Sequence, residues 1–199
     1  MGNTVVSSWN DFDPLKHAIV GRADFTCIPP TEPATEAKIP EDSDMRGMWG
    51  PRPLETVERA HYQLDTLAGL LESRGVRVDR PEPLQWNQAV MTPDFSTGSS
   101  FGCMPPRDVL LTVGKEILSA PMSFRCRFWE YLAYHSLMQK YFDEDPEFRW
   151  EQAPRPRLSD AAYKAGYFDE ITIEERLERT AELNFVTTEH EPLFDAADV

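Results

Sequence analysis

A regular apolar spacing between Leu54 and Arg74 limits how this chain can fold more than any other feature. Its apolar residues recur three and four positions apart, which predicts an amphipathic helix, and Gly75 can supply the left-handed residue that ends one. A short apolar run, His17 to Gly21, precedes the helix, and the alternating segment VRVDRP, closed by Pro81, follows it. The order strand, helix, strand is typical of an α/β fold.

The rest of the chain continues this alternation. The segments VLLTV and EILSAP flank Gly114 and predict a two-stranded hairpin. A polar, proline-rich segment, Ile28 to Pro53, is predicted to be a long loop. The other elements expected in chain order are a helix over 123–142, a strand in FRWEQ, a helix from the Thr172 capping box to about Leu183, and a strand in FVTTEHEPLFDAADV.

The net charge of the chain excludes some classes of binding partner. The 199 residues carry a net charge of -14, whereas a nucleic acid or an anionic membrane would demand a basic face. No apolar stretch of the sequence approaches the roughly 20 residues that span a bilayer. We therefore expect a cytoplasmic protein whose partners include neither nucleic acid nor membrane.

The cysteines give no sign of a disulfide framework or a metal site. Cys27, Cys103 and Cys126 are odd in number and unmatched in spacing. The segment VGKE fits a hairpin turn, and the sequence contains no Walker or Rossmann spacing. Reduced thiols, with no metal and no cofactor, are expected.

Two aspartates are the strongest candidates for chemistry. Asp108 directly precedes the apolar run VLLTV, and Asp195 lies in the segment EPLFDAADV. Carboxylates at strand ends can bind a planar guanidinium, because that cation offers a fork of N–H donors to paired oxygens. The structural alternatives are that Asp108 is a turn residue hydrogen-bonded to backbone amides and that Asp195 is part of a frayed tail.

Two further residues are weaker candidates for the same site. Asp198 follows Asp195 by three positions and could lie on the same face of a helical turn, although a capping role is equally economical. Arg127 lies in the first turn of the predicted helix over 123–142, where it could pair with acidic residues or bind a substrate carboxylate. We favour a structural role for this arginine, in packing and ion pairing.

Long blocks of the sequence carry a resemblance to a known family. The block PPRDVLLTVGKEILSAPMSFRCRFWEYLAY and the later FVTTEHEPLFDAAD resemble the arginine:glycine amidinotransferases and their inosamine-phosphate amidinotransferase relatives. The opening WNDFDPLKHAIVGRA is similar to the first strand of that family, so the resemblance extends over nearly the whole chain. It implies the pentein fold, a five-bladed α/β propeller with its active site in a central channel.

The resemblance also implies transfer of an amidino group from L-arginine to an amine through a cysteine-bound intermediate. By motif, Asp108 matches the substrate-binding carboxylate of the PRD block, and Asp195 matches the catalytic carboxylate of the FDAA block. The family's catalytic His and nucleophilic Cys follow the FDAA block and have no counterpart after Val199. Residues 1–199 are therefore expected to form a partial pentein domain of two or three blades, truncated before those two blocks. A homodimer is implied.

Three functional hypotheses remain open at this point. The leading one is an amidinotransferase with glycine as the favoured acceptor, because FVTTEHEP resembles the glycine-using branch, and this chain alone is expected to be inactive. The second is a non-catalytic module that binds guanidino compounds or dimerises. The third is a relative that hydrolyses guanidines, using the same carboxylates with water as the acceptor.

Overall fold

The chain folds into a mixed α/β structure of short strands and helices, seen in a computed structural model that describes residues 4–36, 44, 47–167, 172–188 and 190–199. The helices are α1 (Pro33–Glu36), α2 (Leu54–Ser73), α3 (Pro106–Val109), α4 (His135–Glu144) and α5 (Ile173–Ala181). The strands are β1 (His17–Ile19), β2 (Cys27–Ile28), β3 (Gly50–Pro51), β4 (Arg77–Asp79), β5 (Val90–Met91), β6 (Ser96–Thr97), β7 (Leu110–Val113), β8 (Glu116–Ser119) and β9 (Arg149–Gln152). Short 3-10 helices lie at Arg125–Arg127, Glu130–Tyr134, Asp160–Ala162 and Ala196–Asp198.

The first part of the chain forms the predicted strand, helix, strand unit. β1 pairs with β4 in parallel, with His17 opposite Arg77. α2 connects the two strands, and just after it Gly75 has a φ of +80°, a conformation that glycine adopts without strain. The apolar face of α2 is covered less than its spacing predicts: Ala68 is buried, whereas Leu67 and Leu70 are exposed. No helix within the described ranges is both long and apolar enough to cross a membrane.

A three-stranded sheet with the order β7, β8, β9 carries the main core. β7 and β8 form the predicted antiparallel hairpin, and Gly114 supplies a positive φ of +58° at its turn. β9 joins β8 in parallel, which confirms the strand predicted in FRWEQ. The core buries Leu110 and Ile117 of this sheet together with Met138 and Tyr141 of α4.

The single helix predicted over 123–142 is wrong. The segment instead contains two short 3-10 helices, after which α4 begins. Its aromatic residues are buried in three different places: Phe124 and Phe128 lie in separate clusters, and Tyr134 lies in the main core. One straight helix presents one apolar face, so it could not bring these side chains to three clusters. Tertiary packing therefore overrides the helical spacing here.

The segment predicted as one long loop is partly structured. Its described residues include α1 and β3, and β3 pairs with β2, while residues 37–43 and 45–46 lie outside the described part of the chain. Glu32 ties this segment to the 3-10 helix that follows Phe124, because its carboxylate accepts the backbone N–H of Arg125 at 3.0 Å. Burial raises the pKa of Glu32 to about 7.

The final part of the chain confirms one prediction and corrects another. The Thr172–Glu175 capping box is present, and α5 ends at Ala181 instead of Leu183. The strand predicted in FVTTEHEPLFDAADV is wrong, because its described residues pair in strand fashion through a single bridge between Thr187 and Tyr163. Pro192 interrupts the segment and lacks the N–H that a central strand would donate.

Close packing after β1 gives a test of this fold. A Cβ atom at Gly21 would lie 1.9 Å from the backbone oxygen of Met104, so we expect Gly21→Ala to lower the free energy of unfolding by about 1–3 kcal/mol. Gly69→Ala is the matched control. It lies in α2, where the added Cβ would meet no described atom within 4 Å apart from the backbone of its own helix, and the substitution should raise stability by about 0.5–1 kcal/mol. Urea denaturation measures both, and equal effects would contradict the packing described.

Candidate active site

Asp108 lies in the one-turn helix α3 directly before β7, so the strand starts at Leu110, one residue later than predicted. Pro106 opens this helix, a position where a fixed φ is favourable and a missing N–H is harmless. Val109, which directly follows Asp108, is fully buried in the main core. Asp108 is therefore held against the edge of the core by its neighbours in the chain.

Asp195 immediately precedes the 3-10 helix Ala196–Asp198. Its two neighbours fix its position: Phe194 accepts a hydrogen bond from the backbone N–H of Met122 at 3.3 Å, and Ala196 is buried in the main core. The 3-10 helix contacts both α3 and β7, which brings Asp195 beside Asp108. Asp195 therefore belongs to the packed structure and is not part of a frayed tail.

A single guanidinium joins the two aspartates, and it belongs to the chain itself. Arg127 Nη1 donates to Asp108 Oδ2 at 3.1 Å and to Asp195 Oδ2 at 3.2 Å. The Arg127 side chain is buried, and its guanidinium carbon lies 5.6 Å from the centre of the Phe101 ring. The structure thus brings together three of the residues singled out in the sequence, with Arg127 in the ion-pairing role.

Glu130 completes this group and is not among the residues predicted from the sequence. Its Oε2 accepts a hydrogen bond from Arg127 Nε at 2.9 Å and lies 2.8 Å from Arg127 Nη2, and its side chain is fully buried. Two signals indicate such a pair: the spacing of three residues from Arg127, and a charged residue inside the aromatic run RFWEYLAY. We call Asp108, Arg127, Glu130 and Asp195 the Arg127 cluster.

Burial and charge act in opposite directions on the Arg127 cluster. Burial raises the pKa of Glu130 to about 7, although the ion pair with Arg127 opposes this. Burial alone would lower the pKa of Arg127, but the surrounding carboxylates, Glu130 foremost, raise it above its ordinary value. The three carboxyl groups of the cluster share the Arg127 guanidinium, and Asp108 Oδ1 also lies 3.7 Å from Nε of the exposed Arg107 outside the cluster. With all three carboxyl groups ionised, they outnumber these two guanidinium groups, so the site keeps a net negative charge.

The remaining site candidate, Asp198, ends the 3-10 helix Ala196–Asp198, and its side chain lies outside the described part of the structure. A neighbour of Arg127 in sequence, Arg125, takes no part in the cluster. Arg125 Nη2 instead donates to Asp160 at 2.9 Å, and its Nε donates to the backbone oxygen of Leu158 at 2.9 Å.

The three cysteines are free and buried. Burial raises the pKa of Cys103 to about 12, and it raises the pKa values of Cys27 and Cys126 as well. A nucleophilic cysteine needs a lowered pKa and access to its substrate. The environment of each of these thiols is therefore the opposite of what a nucleophile requires.

One histidine, His17, has acidic and phenolic partners but lies in a different group from the Arg127 cluster. His17 Nε2 lies 2.8 Å from Asp79 Oδ2, and the Tyr141 hydroxyl donates to the same oxygen at 3.0 Å. Burial opposes ionisation of Asp79, but hydrogen bonds from His17, Lys140 and Tyr141 outweigh it and lower the pKa of this aspartate to about 2. These contacts join β1, β4 and α4, which indicates a structural role.

Known proteins that resemble the chain are amidinotransferases. The mitochondrial glycine amidinotransferase of Danio rerio is 41% identical over 196 residues, which make up 97% of this chain and 46% of that protein. The L-arginine:L-lysine amidinotransferase of Pseudomonas savastanoi pv. phaseolicola is 37% identical over 198 residues, 97% of this chain and 51% of that protein. No family model matches the chain.

The fold agrees with these similarities. The solved structure of inosamine-phosphate amidinotransferase from Streptomyces griseus matches with a TM-score of 0.81 and 34% sequence identity, over 99% of this chain and 53% of that one. The chain spans about half the length of the curated relatives it matches. Over the part of their length that it spans, the chain is similar in sequence and in fold to glycine and inosamine-phosphate amidinotransferases.

Proposed function

We propose that the chain supplies the guanidinium-binding part of an amidinotransferase, which moves the amidino group of L-arginine to an amine acceptor. Asp108 binds the substrate guanidinium, and Asp195 is the catalytic carboxylate. The main support is the convergence of these two aspartates on one cationic position, in a chain related to amidinotransferases.

The charge and exposure of the Arg127 cluster support the binding of a second cation. Arg127 neutralises one of three carboxyl groups, and the exposed Arg107 lies 3.7 Å from Asp108 Oδ1, so with Glu130 ionised an arriving guanidinium still meets one net negative charge. The Asp108 and Asp195 side chains keep 19% and 14% of their surface exposed, which leaves them accessible to a ligand. Partial burial also weakens the screening of charge by solvent, so the attraction is stronger than between surface charges.

Amidino transfer needs groups beyond this pair of carboxylates. A thiolate attacks the guanidinium carbon to form a cysteine-bound amidino intermediate, and a general acid protonates the departing amine. Cys27, Cys103 and Cys126 are buried with raised pKa values, so we place the nucleophilic thiol in the part of the family's length that this chain does not span. We place the histidine that acts as the general acid in the same part. The chain by itself is then inactive in transfer.

The similarity to amidinotransferases also bears on the architecture of the complete enzyme and on its acceptor. Residues 1–199 form a partial domain of two or three blades of a five-bladed pentein propeller, and the complete enzyme is a homodimer. Glycine is the favoured acceptor, supported by the 41% identity with a glycine amidinotransferase. The cytoplasmic location stays a prediction from the sequence.

A chimaera tests the reaction. In it, this chain replaces the matching 46% of the Danio rerio glycine amidinotransferase, and ornithine formed from arginine and glycine is measured. We expect no ornithine from the chain alone, and ornithine from the chimaera, because the chimaera restores the missing part of the family's length. Asp195→Asn in the chimaera is expected to lower kcat by about 10²–10⁴-fold.

Three results would contradict this expectation. An unchanged rate in the Asp195→Asn chimaera would contradict the catalytic role of this aspartate. Ornithine from the chain alone, with glycine as acceptor, would contradict the division of the site. Urea in place of amidinated glycine would indicate hydrolysis of the guanidine instead of transfer.

A further inference from the structure

The function proposed above gives no role to the fourth member of the Arg127 cluster, Glu130. We propose that Glu130 is a positioning residue of the guanidinium site. By binding the Nε and Nη2 edge of Arg127, it limits this internal guanidinium to a single-nitrogen contact with Asp108 and Asp195. This role rests on the proposed function, and adds to it a residue that acts through Arg127 and does not touch the substrate.

The distances around Arg127 show which partner holds it. A guanidinium pairs most strongly with a carboxylate through two nitrogens at once. Glu130 faces that edge with one oxygen: Oε2 accepts a hydrogen bond from Nε at 2.9 Å and forms an ion pair with Nη2 at 2.8 Å, while Nη2 makes no hydrogen bond to any described residue. The remaining nitrogen, Nη1, is shared between Asp108 at 3.1 Å and Asp195 at 3.2 Å. Glu130 therefore determines which edge of the guanidinium faces the aspartates.

The burial of the Glu130 carboxylate is offset by its ion pair with Arg127. Its second oxygen, Oε1, is buried and makes no hydrogen bond to any described residue. A buried carboxylate without a cation is strongly unfavourable, so Arg127 is the group that offsets its burial. Glu130 and Arg127 thus each stabilise the other. Their pairing turns the Nε and Nη2 edge of Arg127 away from the aspartates.

The backbone around Glu130 is fixed as well. Glu130 begins a short 3-10 helix in which Ala133 and Tyr134 are fully buried, and the Tyr134 hydroxyl donates to the backbone oxygen of Cys103 at 3.2 Å. On the other side, the Phe101 ring lies 5.6 Å from the guanidinium carbon of Arg127. The carboxylate is therefore a fixed anchor for the guanidinium and not a mobile surface group.

Loss of the Glu130 charge would free the two-nitrogen edge of Arg127. That edge could then turn to Asp108 or Asp195 and pair with one of them through both nitrogens, as an internal competitor of the substrate. The net negative charge of the cluster would also fall by one. Both changes weaken the binding of an external guanidinium.

Glu130→Gln tests this role, because glutamine keeps the shape of the side chain and one oxygen acceptor but loses the charge. We expect the Kd of the 199-residue chain for L-arginine to rise about tenfold or more, measured by calorimetric titration well above the Glu130 pKa of about 7. A second readout is the NMR signal of the Arg127 Nε–H group. It should shift and exchange with water faster in the variant.

Two further variants separate positioning from a purely structural role. Glu32→Gln removes another carboxylate with a raised pKa, one that binds the Arg125 backbone and takes no part in the Arg127 cluster, and should leave the Kd unchanged. Glu130→Asp keeps the charge and should lose less affinity than Glu130→Gln. It also provides a charged variant for comparison if the glutamine variant does not fold.

The outcomes distinguish this role from the proposed function. If the unmodified chain binds arginine and Glu130→Gln does not change the Kd, the positioning role is overturned and the proposed function stands. Equal losses in Glu130→Asp and Glu130→Gln would overturn it as well, because the charge would then not matter. If the unmodified chain fails to bind arginine, the proposed function is overturned, and this role with it.

Discussion

Arg127→Met is expected to lower the free energy of unfolding of the chain by about 3–5 kcal/mol. Methionine fills most of the space of the arginine stem but leaves the fully buried Glu130, and the two aspartates beside it, without their shared cation. A carboxylate buried without a cation must either protonate or remain at a large desolvation cost. Urea denaturation followed by circular dichroism measures the loss.

Arg149→Met is the matched control for this substitution. Arg149 is 69% exposed and lies 3.7 Å from Glu116, so its loss should change stability by less than about 0.5 kcal/mol. The double variant Arg127→Met with Glu130→Leu should recover part of the lost stability, because it also removes the unpaired buried charge. If Arg127→Met were as stable as Arg149→Met, the Arg127 cluster would not be a buried ion network.

Asp108→Asn and Asp195→Asn are each expected to weaken the binding of L-arginine by roughly 30- to 150-fold, or about 2–3 kcal/mol. Asparagine keeps the size of the side chain and an oxygen that can accept from Arg127 Nη1, so the fold should survive. It lacks the negative charge that attracts a second guanidinium. Calorimetric titration of the chain and its variants measures the difference.

Asp65→Asn provides the control for the aspartate variants. Asp65 lies on α2, is 68% exposed and pairs with Arg80, away from the Arg127 cluster. Its substitution should leave the arginine Kd unchanged. A similar loss in all three variants would mean that the effect comes from net charge alone and not from the site.

Local sequence patterns predicted those elements whose form depends on neighbours in the chain. The helix that ends before Gly75 and the hairpin at Gly114 are of this kind, because spacing and turn residues determine them. The predicted helix over 123–142 failed because Phe124 and Phe128 are buried in separate clusters, which no local spacing encodes. The last predicted strand failed because it meets no partner strand beyond one bridge at Thr187.

Part of the site was predictable as well, because two of its residues lie in local sequence motifs. The PRD and FDAA motifs identified Asp108 and Asp195, and the structure brings both to one point. A guanidinium between two carboxylates was expected, but the one observed is that of Arg127. Glu130 was not predicted: its spacing of three from Arg127 and its place in an aromatic run are weak signals, and its full burial is known only from the folded structure.

A titration with two matched ligands shows whether the Arg127 cluster recognises the charge of a guanidinium. L-Arginine and L-citrulline have nearly the same size, but citrulline carries a neutral ureido group where arginine carries the guanidinium. If the Arg127 cluster binds guanidinium through its net negative charge, the unmodified chain should bind arginine and show no measurable affinity for citrulline under the same conditions. Equal affinity for the two ligands, or no binding of arginine, would mean that the Arg127 cluster does not bind a guanidinium through its charge.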